Sequence, residues 1–453
     1  MLYPKALTDT IRQEYTKYSG SYRARKIDYH HDEVLLVKGN PGAGKTAGVL
    51  AYCDVYPNTL YFSFRNLDAA LAPRVFASQY PDIFQPCETW EDFFDQLYDY
   101  GTKRHGVVFF DDAGARNDKD VFILQLQRIL EKNMRYSFFL VFLLKPWEGL
   151  PLKGREKHIG PISPAELRRT FRLKDEDTFR LYTLTGGNPR LLSAYDANLS
   201  FEENVRKWLR LDSNYYRLAQ EWLSGCFRSP ESYNTLMYGV ATGKSRVVEL
   251  AVLSGFPNNK VDKYLKALEA HGLIVREKET GSYARYQPAN NYLLLWFRFL
   301  FTAKATGDGS FLERTFAVFM DYFDNELLPA TFRRAVLKWL DHHQSKYLRE
   351  RIDVQKPYKR DVVVDGIRFD YVFRTSEHEN RYIVVKLFDR PGERCGKEEW
   401  RAIDAAAPSV VPYYLSTLIV ASVSRFSDYC WEATSEEKNV KLVQVQTLNQ
   451  ESV

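Results

Sequence analysis

The sequence predicts an α/β protein built on a parallel sheet flanked by helices, and three observations predict it. Apolar runs of strand length at 33–38 (EVLLVK), 59–64 (TLYFSF), 107–110 (VVFF) and 137–144 (SFFLVFLL) are separated by stretches of helical periodicity. The first run leads directly into a glycine-rich loop, GNPGAGKT, after which AGVLAY begins a helical pattern. The chain of 453 residues is also longer than one core of about 250 to 300 residues can serve, so two to four domains are expected.

Each element follows in order. The loop matches GxxxxGK[ST], a phosphate-binding P-loop, in the strand, loop and helix setting it requires. Gly39, Gly42 and Gly44 let the backbone curl so that N–H groups point inward, with Asn40, Pro41 and Ala43 completing the cradle. The helix starting near Lys45 adds its positive dipole end. Lys45 would neutralise the β and γ phosphates, and Thr46 would place its hydroxyl on Mg²⁺. A carboxylate on a neighbouring strand is then needed for the metal, and the run at 107–110 ends in Asp111 and Asp112. Asp111 is the expected Mg²⁺ partner. Asp112 is the candidate to polarise the attacking water, one methylene shorter than the Glu that often does so. Residues 89–100 read as an amphipathic helix and 121–133 as another, so strands and helices alternate as a parallel sheet demands.

Bulk properties narrow the function classes. Hydrophobic residues at 45% and charged residues at 27% describe a globular chain, neither fibrous nor disordered. The 30 Tyr and 29 Phe are assigned to packing rather than base stacking. A net charge of +5 permits contact with nucleic acid without arguing for it. Five scattered cysteines, an odd number with no CxxC pair, indicate neither a disulfide framework nor a zinc knuckle and suit a reducing cytoplasm. No apolar run reaches the ~20 residues of a membrane helix, so no membrane anchoring is expected. The pairs His30/His31 and His342/His343 lack the i, i+4 spacing of two ligands on one helix face and are read as surface residues.

Further along, three stretches in a fixed order carry a resemblance: LPLKGR (150–155) followed by IGPISPAELRRTF, TGGNPRLL (185–192), and NYLLLWFRFLF (291–301). With the P-loop they resemble the archaeal-type ATPases of the AAA+ and STAND (signal-transduction ATPase) group. That resemblance implies a P-loop core at 1–160, a helical lid at 161–225, a winged helix at 226–305 and a degenerate PD-(D/E)XK nuclease-like domain at 306–453. It makes Arg190 a candidate lid arginine, and Arg155 a candidate γ-phosphate contact in cis or from a neighbouring subunit. Where such ATPases carry a polar sensor after the fourth strand, the sequence has Leu144, Lys145 and Pro146, so the sensor is absent or replaced by Lys145.

The middle segment reads independently as helix, turn, helix and wing. Its second helix, in 257–272, puts Val261, Leu265 and Leu268 on one face and Lys260, Lys263 and Lys266 largely on another, a candidate DNA-facing surface. GVATGKS at 239–245 mimics a P-loop but has three residues between its glycines where four are required, so it is read as a loop before a helix. In the C-terminal segment, nuclease chemistry needs converging carboxylates and a Lys. Asp370 and Lys386 fit, but Val384 stands in place of the second carboxylate and Arg333 in place of the helix Glu; a register through Glu377 or Glu379 falls in a polar turn. An inactive fold is expected. The reading is therefore a Mg²⁺-dependent, slow ATPase acting as a switch, in signalling or defence; the alternative is a winged-helix DNA-binding protein with a structural ATP site. Self-association and a protein partner are left open.

Overall fold

The computed structural model describes residues 3–23, 34–114, 119–131, 139–277, 284–302, 309–344, 348, 350–376, 378, 380–435, 437 and 439–448. Glu33, Asn133 and Ser137 at the edges of expected elements, with His30, His31, Glu377 and Glu379, lie outside the described residues. By internal contact the chain forms two units, each assembled from several stretches: unit 1 is 1–161, 188–194 and 218–289, and unit 2 is 162–187, 195–217 and 290–453.

Unit 1 is built on five parallel strands, β1 (Val34–Lys38), β2 (Thr59–Ser63), β3 (Val107–Asp111), β4 (Phe139–Leu144) and β5 (Arg155–His158), in the order β2-β3-β4-β1-β5. The central strands are apolar on both faces because helices cover both. Leu36, Phe62, Val108, Phe110, Leu140 and Phe142 enter one core. Their neighbours Leu35, Val37, Val107, Phe109, Val141 and Leu143 enter the other. Phe62 is fully buried and meets Phe76, Phe84, Phe93 and Phe110 within 6.2 Å, so the aromatics of this half serve packing, as expected. The helix expected at 89–100 runs Trp90–Lys103, with Thr89 capping Asp92 N, and the one expected at 121–133 is described over Val121–Glu131.

Unit 1 also holds the helices Glu231–Ala241, Val247–Ser254 and Asn258–Ala270, then an antiparallel hairpin of β6 (Ile274–Glu277) and β7 (Arg285–Pro288). Val261, Leu265 and Leu268 are buried, while Lys260, Lys263 and Lys266 are exposed. Gly239 lies inside the helix Glu231–Ala241, with Leu250 and Leu253 where its side chain would be, so GVATGKS is a helix end and turn.

Unit 2 carries a mixed sheet of β8 (Lys359–Val364), β9 (Ile367–Arg374), β10 (Arg381–Phe388), β11 (Tyr414–Ser422) and β12 (Val440–Gln444), in the order β12-β11-β10-β9-β8. Strands β8, β9 and β10 are antiparallel neighbours, and β10, β11 and β12 parallel ones. The helices Lys397–Ala406 and Asp428–Thr434 contribute Trp400, Ile403 and Cys430 to its core. Within this unit Val384 is fully buried in the sheet core, and Arg333 on the helix Leu328–His343 donates to Asp389 Oδ2 at 2.5 Å. Asp370, 6% exposed, accepts from Leu387 N at 2.7 Å, and burial raises its pKa, opposed by that bond and by Lys386 and Arg368. An arginine thus stands by two buried carboxylates, and no cluster of three metal-ligating side chains occurs among the described residues.

Candidate functional site

The residues 39–46 connect the C-terminal end of β1 to the helix Lys45–Val55. Gly42 and Gly44 take φ of 78° and 81°, left-handed values that allow the loop to fold back on itself. Gly44 is the N-cap of the helix and supplies no side-chain cap. The first N–H groups of any helix lack intrahelical partners, so this end is open to an anion.

Packing against the loop explains why glycine is needed. A Cβ on Gly42 would stand 2.6 Å from Asn188 Oδ1, and one on Gly44 would stand 3.1 Å from both Pro4 and Tyr3. Asn188 donates from Nδ2 to Pro41 O at 3.0 Å, and Arg190 N donates to Gly42 O at 3.2 Å. The segment 188–190 therefore lies on the loop by backbone and amide bonds. The Arg190 guanidinium donates to both oxygens of Glu221, one of the bonds at 2.8 Å.

Thr46 Oγ1 donates to Asp111 Oδ2 at 2.5 Å, and Tyr61 OH donates to the same oxygen at 2.8 Å. The strand carrying Asp111 is not the hydrogen-bonded neighbour of β1, because β4 lies between them. Asp111 reaches Thr46 because it ends β3, on the side of the sheet where the loop begins. Only 3% of it is exposed, and burial raises its pKa; the bonds from Thr46 and Tyr61 oppose the rise, while the Asp112 charge adds to it. A buried carboxylate beside a hydroxyl and an uncapped helix end suits a divalent cation bridging to phosphate oxygens. Thr46 and Asp111 are the residues that fit it.

Lys45 folds back so that Nζ donates to Gly39 O and, at 3.3 Å, to Asn40 O. Burial lowers its pKa to about 8, against the pull of Asp111, Asp112 and Glu148 and with the push of Lys145. An ammonium held on carbonyls in a desolvated place gains charge partners when phosphate arrives. Asp112 has φ of 51° and its Oδ2 lies 3.2 Å from Arg65 Nε. Lys145, at the end of β4, pairs through Nζ with Glu148 Oε1 at 3.2 Å.

Of the expected residues, the glycines, Lys45, Thr46, Asp111 and Asp112 come together, and Arg190 meets the loop through its backbone. Arg155 does not join them. It pairs in register with Leu35 at the start of β1, roughly 10 Å of strand from the loop end, and its guanidinium is tied to buried Glu14. Three residues escaped the sequence reading: Asn188, Tyr61 and Glu148. Asn188 precedes Pro189 at the start of the short helix Pro189–Leu192, a capping signal that was readable. Tyr61 and Glu148 had no such signal.

No protein-family model matches the chain, and no curated protein does. Among solved structures the chain is similar to a signal transduction ATPase with numerous domains, bearing a tetratricopeptide repeat sensor, from Pyrococcus horikoshii. The identity is 15% over 70% of this chain and 48% of that one, with a TM-score of 0.28, so this chain spans about half of that protein. It is also similar to AMPPCP-bound DnaA from Aquifex aeolicus, at 13% identity over 57% of this chain and 87% of that one, with a TM-score of 0.25. A Drosophila ORC structure bound to AT-rich DNA and Cdc6 matches at 10% identity over 64% of this chain and 92% of that chain, with a TM-score of 0.23. The fold of unit 1 rests instead on its own strand order and loop: a parallel α/β sheet of the P-loop NTPase class.

Proposed function

We propose that the chain binds Mg-ATP at 39–46 with Asp111 and hydrolyses it slowly, as a switch of the AAA+/STAND kind. The observation that carries this is the bond from Thr46 to Asp111 at the mouth of an uncapped glycine loop. Gly39, Asn40, Pro41, Gly42, Ala43 and Gly44 would wrap the phosphates, Lys45 would pair with the β and γ groups, and Thr46 and Asp111 would hold Mg²⁺. Bound there, the ion would offset phosphate charge as the terminal group leaves. Asp112 is the residue to orient and polarise the water for in-line attack, on release from Arg65. The segment 188–190 supports a switch, because it touches the loop through Pro41 and Gly42 and would feel their movement.

The four-part division at 1–160, 161–225, 226–305 and 306–453 belongs to the same reading, with a winged helix third and a nuclease-like fold without nuclease activity last. Val384 and Arg333, in place of carboxylates, support the last point. A signalling or defence role in the cytoplasm completes it. Radiolabelled ATP binding tests the site: Lys45→Ala and Asp111→Asn should abolish Mg²⁺-dependent binding, and binding that survives both substitutions contradicts it. The exposed lysines on Asn258–Ala270 favour one second reading, a DNA-binding protein whose ATP is structural. DNA affinity indifferent to Lys45→Ala would select it.

A further inference from the structure

Within unit 2 lies a cavity of about 780 Å³, in the size range of small-molecule sites. Its wall includes 394–396, which follow β10, and 424–427, which follow β11, so it opens beyond the C-terminal ends of two parallel strands. Open α/β sheets bind ligands at such ends. Residues of 168–176, from the last turn of the helix Pro164–Phe171 to the first turn of Asp175–Thr185, supply the remaining wall.

Six cations line it, Arg168, Arg169, Arg172, Lys174, Arg394 and Arg425, against two carboxylates. The carboxylates are already engaged. Asp175, 1% exposed, lies 2.9 Å from Arg168 Nε. Glu176 accepts from Ser424 Oγ at 2.7 Å and from Gly392 N at 3.3 Å. Among the described residues Arg169, Arg172, Arg394 and Arg425 make no ion pair. Arg172 adds an independent sign. It ends the helix Pro164–Phe171 in the left-handed region, φ 54° and ψ 38°, where Gly or Asn is favoured. Holding a longer side chain there costs about 1 kcal/mol, a strain retained where the side chain has work to do.

Unpaired like charges around one half-open pocket suit an anion of several charges. We propose that this cavity binds a small molecule carrying two or more phosphate groups. The guanidinium forks of Arg172, Arg394 and Arg425 match phosphate oxygens in pairs. The cations come to one pocket from three chain segments, 168–174, 394 and 425, rather than from one extended stripe, which favours a compact ligand over a nucleic-acid backbone.

The test is calorimetric titration of sodium tripolyphosphate into the 453-residue Lys45→Ala chain, which weakens phosphate binding at the P-loop. One tripolyphosphate site is expected to survive, and adding Arg172→Gly and Arg425→Ala should weaken it at least tenfold. Arg172→Gly suits the backbone at that position, so lost binding would not report unfolding. Arg172→Lys with Arg425→Lys, which keeps the charge but loses the forks, should weaken binding by less than the Gly and Ala pair does. Absence of any tripolyphosphate site in Lys45→Ala, or a site indifferent to the arginine substitutions, overturns the proposal. So does a single-stranded oligodeoxynucleotide whose binding falls with the arginines while that of tripolyphosphate does not.

Discussion

Lys45 sits where its own charge is disfavoured, because burial outweighs Asp111, Asp112 and Glu148 and brings its pKa from 10.5 down to about 8. Below pH 8 the folded and unfolded chains both carry the proton and the folded one bears the cost. Between about 8 and 10.5 the unfolded chain binds more protons, so this residue's contribution to stability rises with pH. The denaturation midpoint of the nucleotide-free protein, less that of Lys45→Met, should therefore climb across that window. Phosphate would restore the ammonium, so binding of Mg-ATP at pH 8 should take up roughly half a proton through Lys45. Calorimetry in two buffers of different ionisation enthalpy reads this, and the uptake should shrink at pH 7, where Lys45 already carries most of its proton. Asp112→Asn should leave ATP affinity within about threefold and lower turnover at least tenfold, measured by phosphate release. The loop residues with Thr46 and Asp111 were legible because phosphate chemistry dictates both residue type and spacing. Tyr61 and Glu148 were not, since a tyrosine on a strand and a glutamate three residues past Lys145 acquire meaning only when folding brings them to Asp111 and Lys45.

At the scale of elements, the loop and the segment 188–190 behave as one piece. Gly42→Ala should lower stability by about 1–3 kcal/mol, through its φ of 78° and the 2.6 Å approach of Asn188 Oδ1. Asn188→Ala removes the obstructing amide, so the double variant should be less damaged than the sum of the singles, by about 0.5–1 kcal/mol in urea unfolding. Phe62→Ala should cost about 3–5 kcal/mol, since the ring is fully buried among five others. Four strands of the parallel sheet were readable in place and type because each is a short, largely apolar run; β5 was not, because REKH is polar and largely exposed. Their lateral order was not, because a run such as FLVFLL states that it is buried and not between which neighbours. That is why β4 was not foreseen between β1 and β3, and why Arg155, fixed by pairing with Leu35, falls at the far end of its strand from the loop.

For the whole molecule, the sequence order of segments and their association differ: 188–194 belongs by contact with the P-loop unit, although the residues on either side of it belong to the other. Linear reading gives domains as consecutive stretches, and long-range packing is under no such constraint. No described helix is long and apolar enough to cross a membrane. If the lysine-bearing helix contacts DNA, replacing Lys260, Lys263 and Lys266 with Ala should weaken duplex binding and flatten its salt dependence by about three units of slope at most. The measurement closest to the central claim is steady-state phosphate release from ATP by the 453-residue chain, with and without Mg²⁺, for wild type, Lys45→Ala and Asp111→Asn. Slow release that requires Mg²⁺ and is lost in both variants is the expected result. Release that persists in both, or tight Mg²⁺-independent ATP binding with no turnover, would contradict a Mg-ATPase built on Thr46 and Asp111.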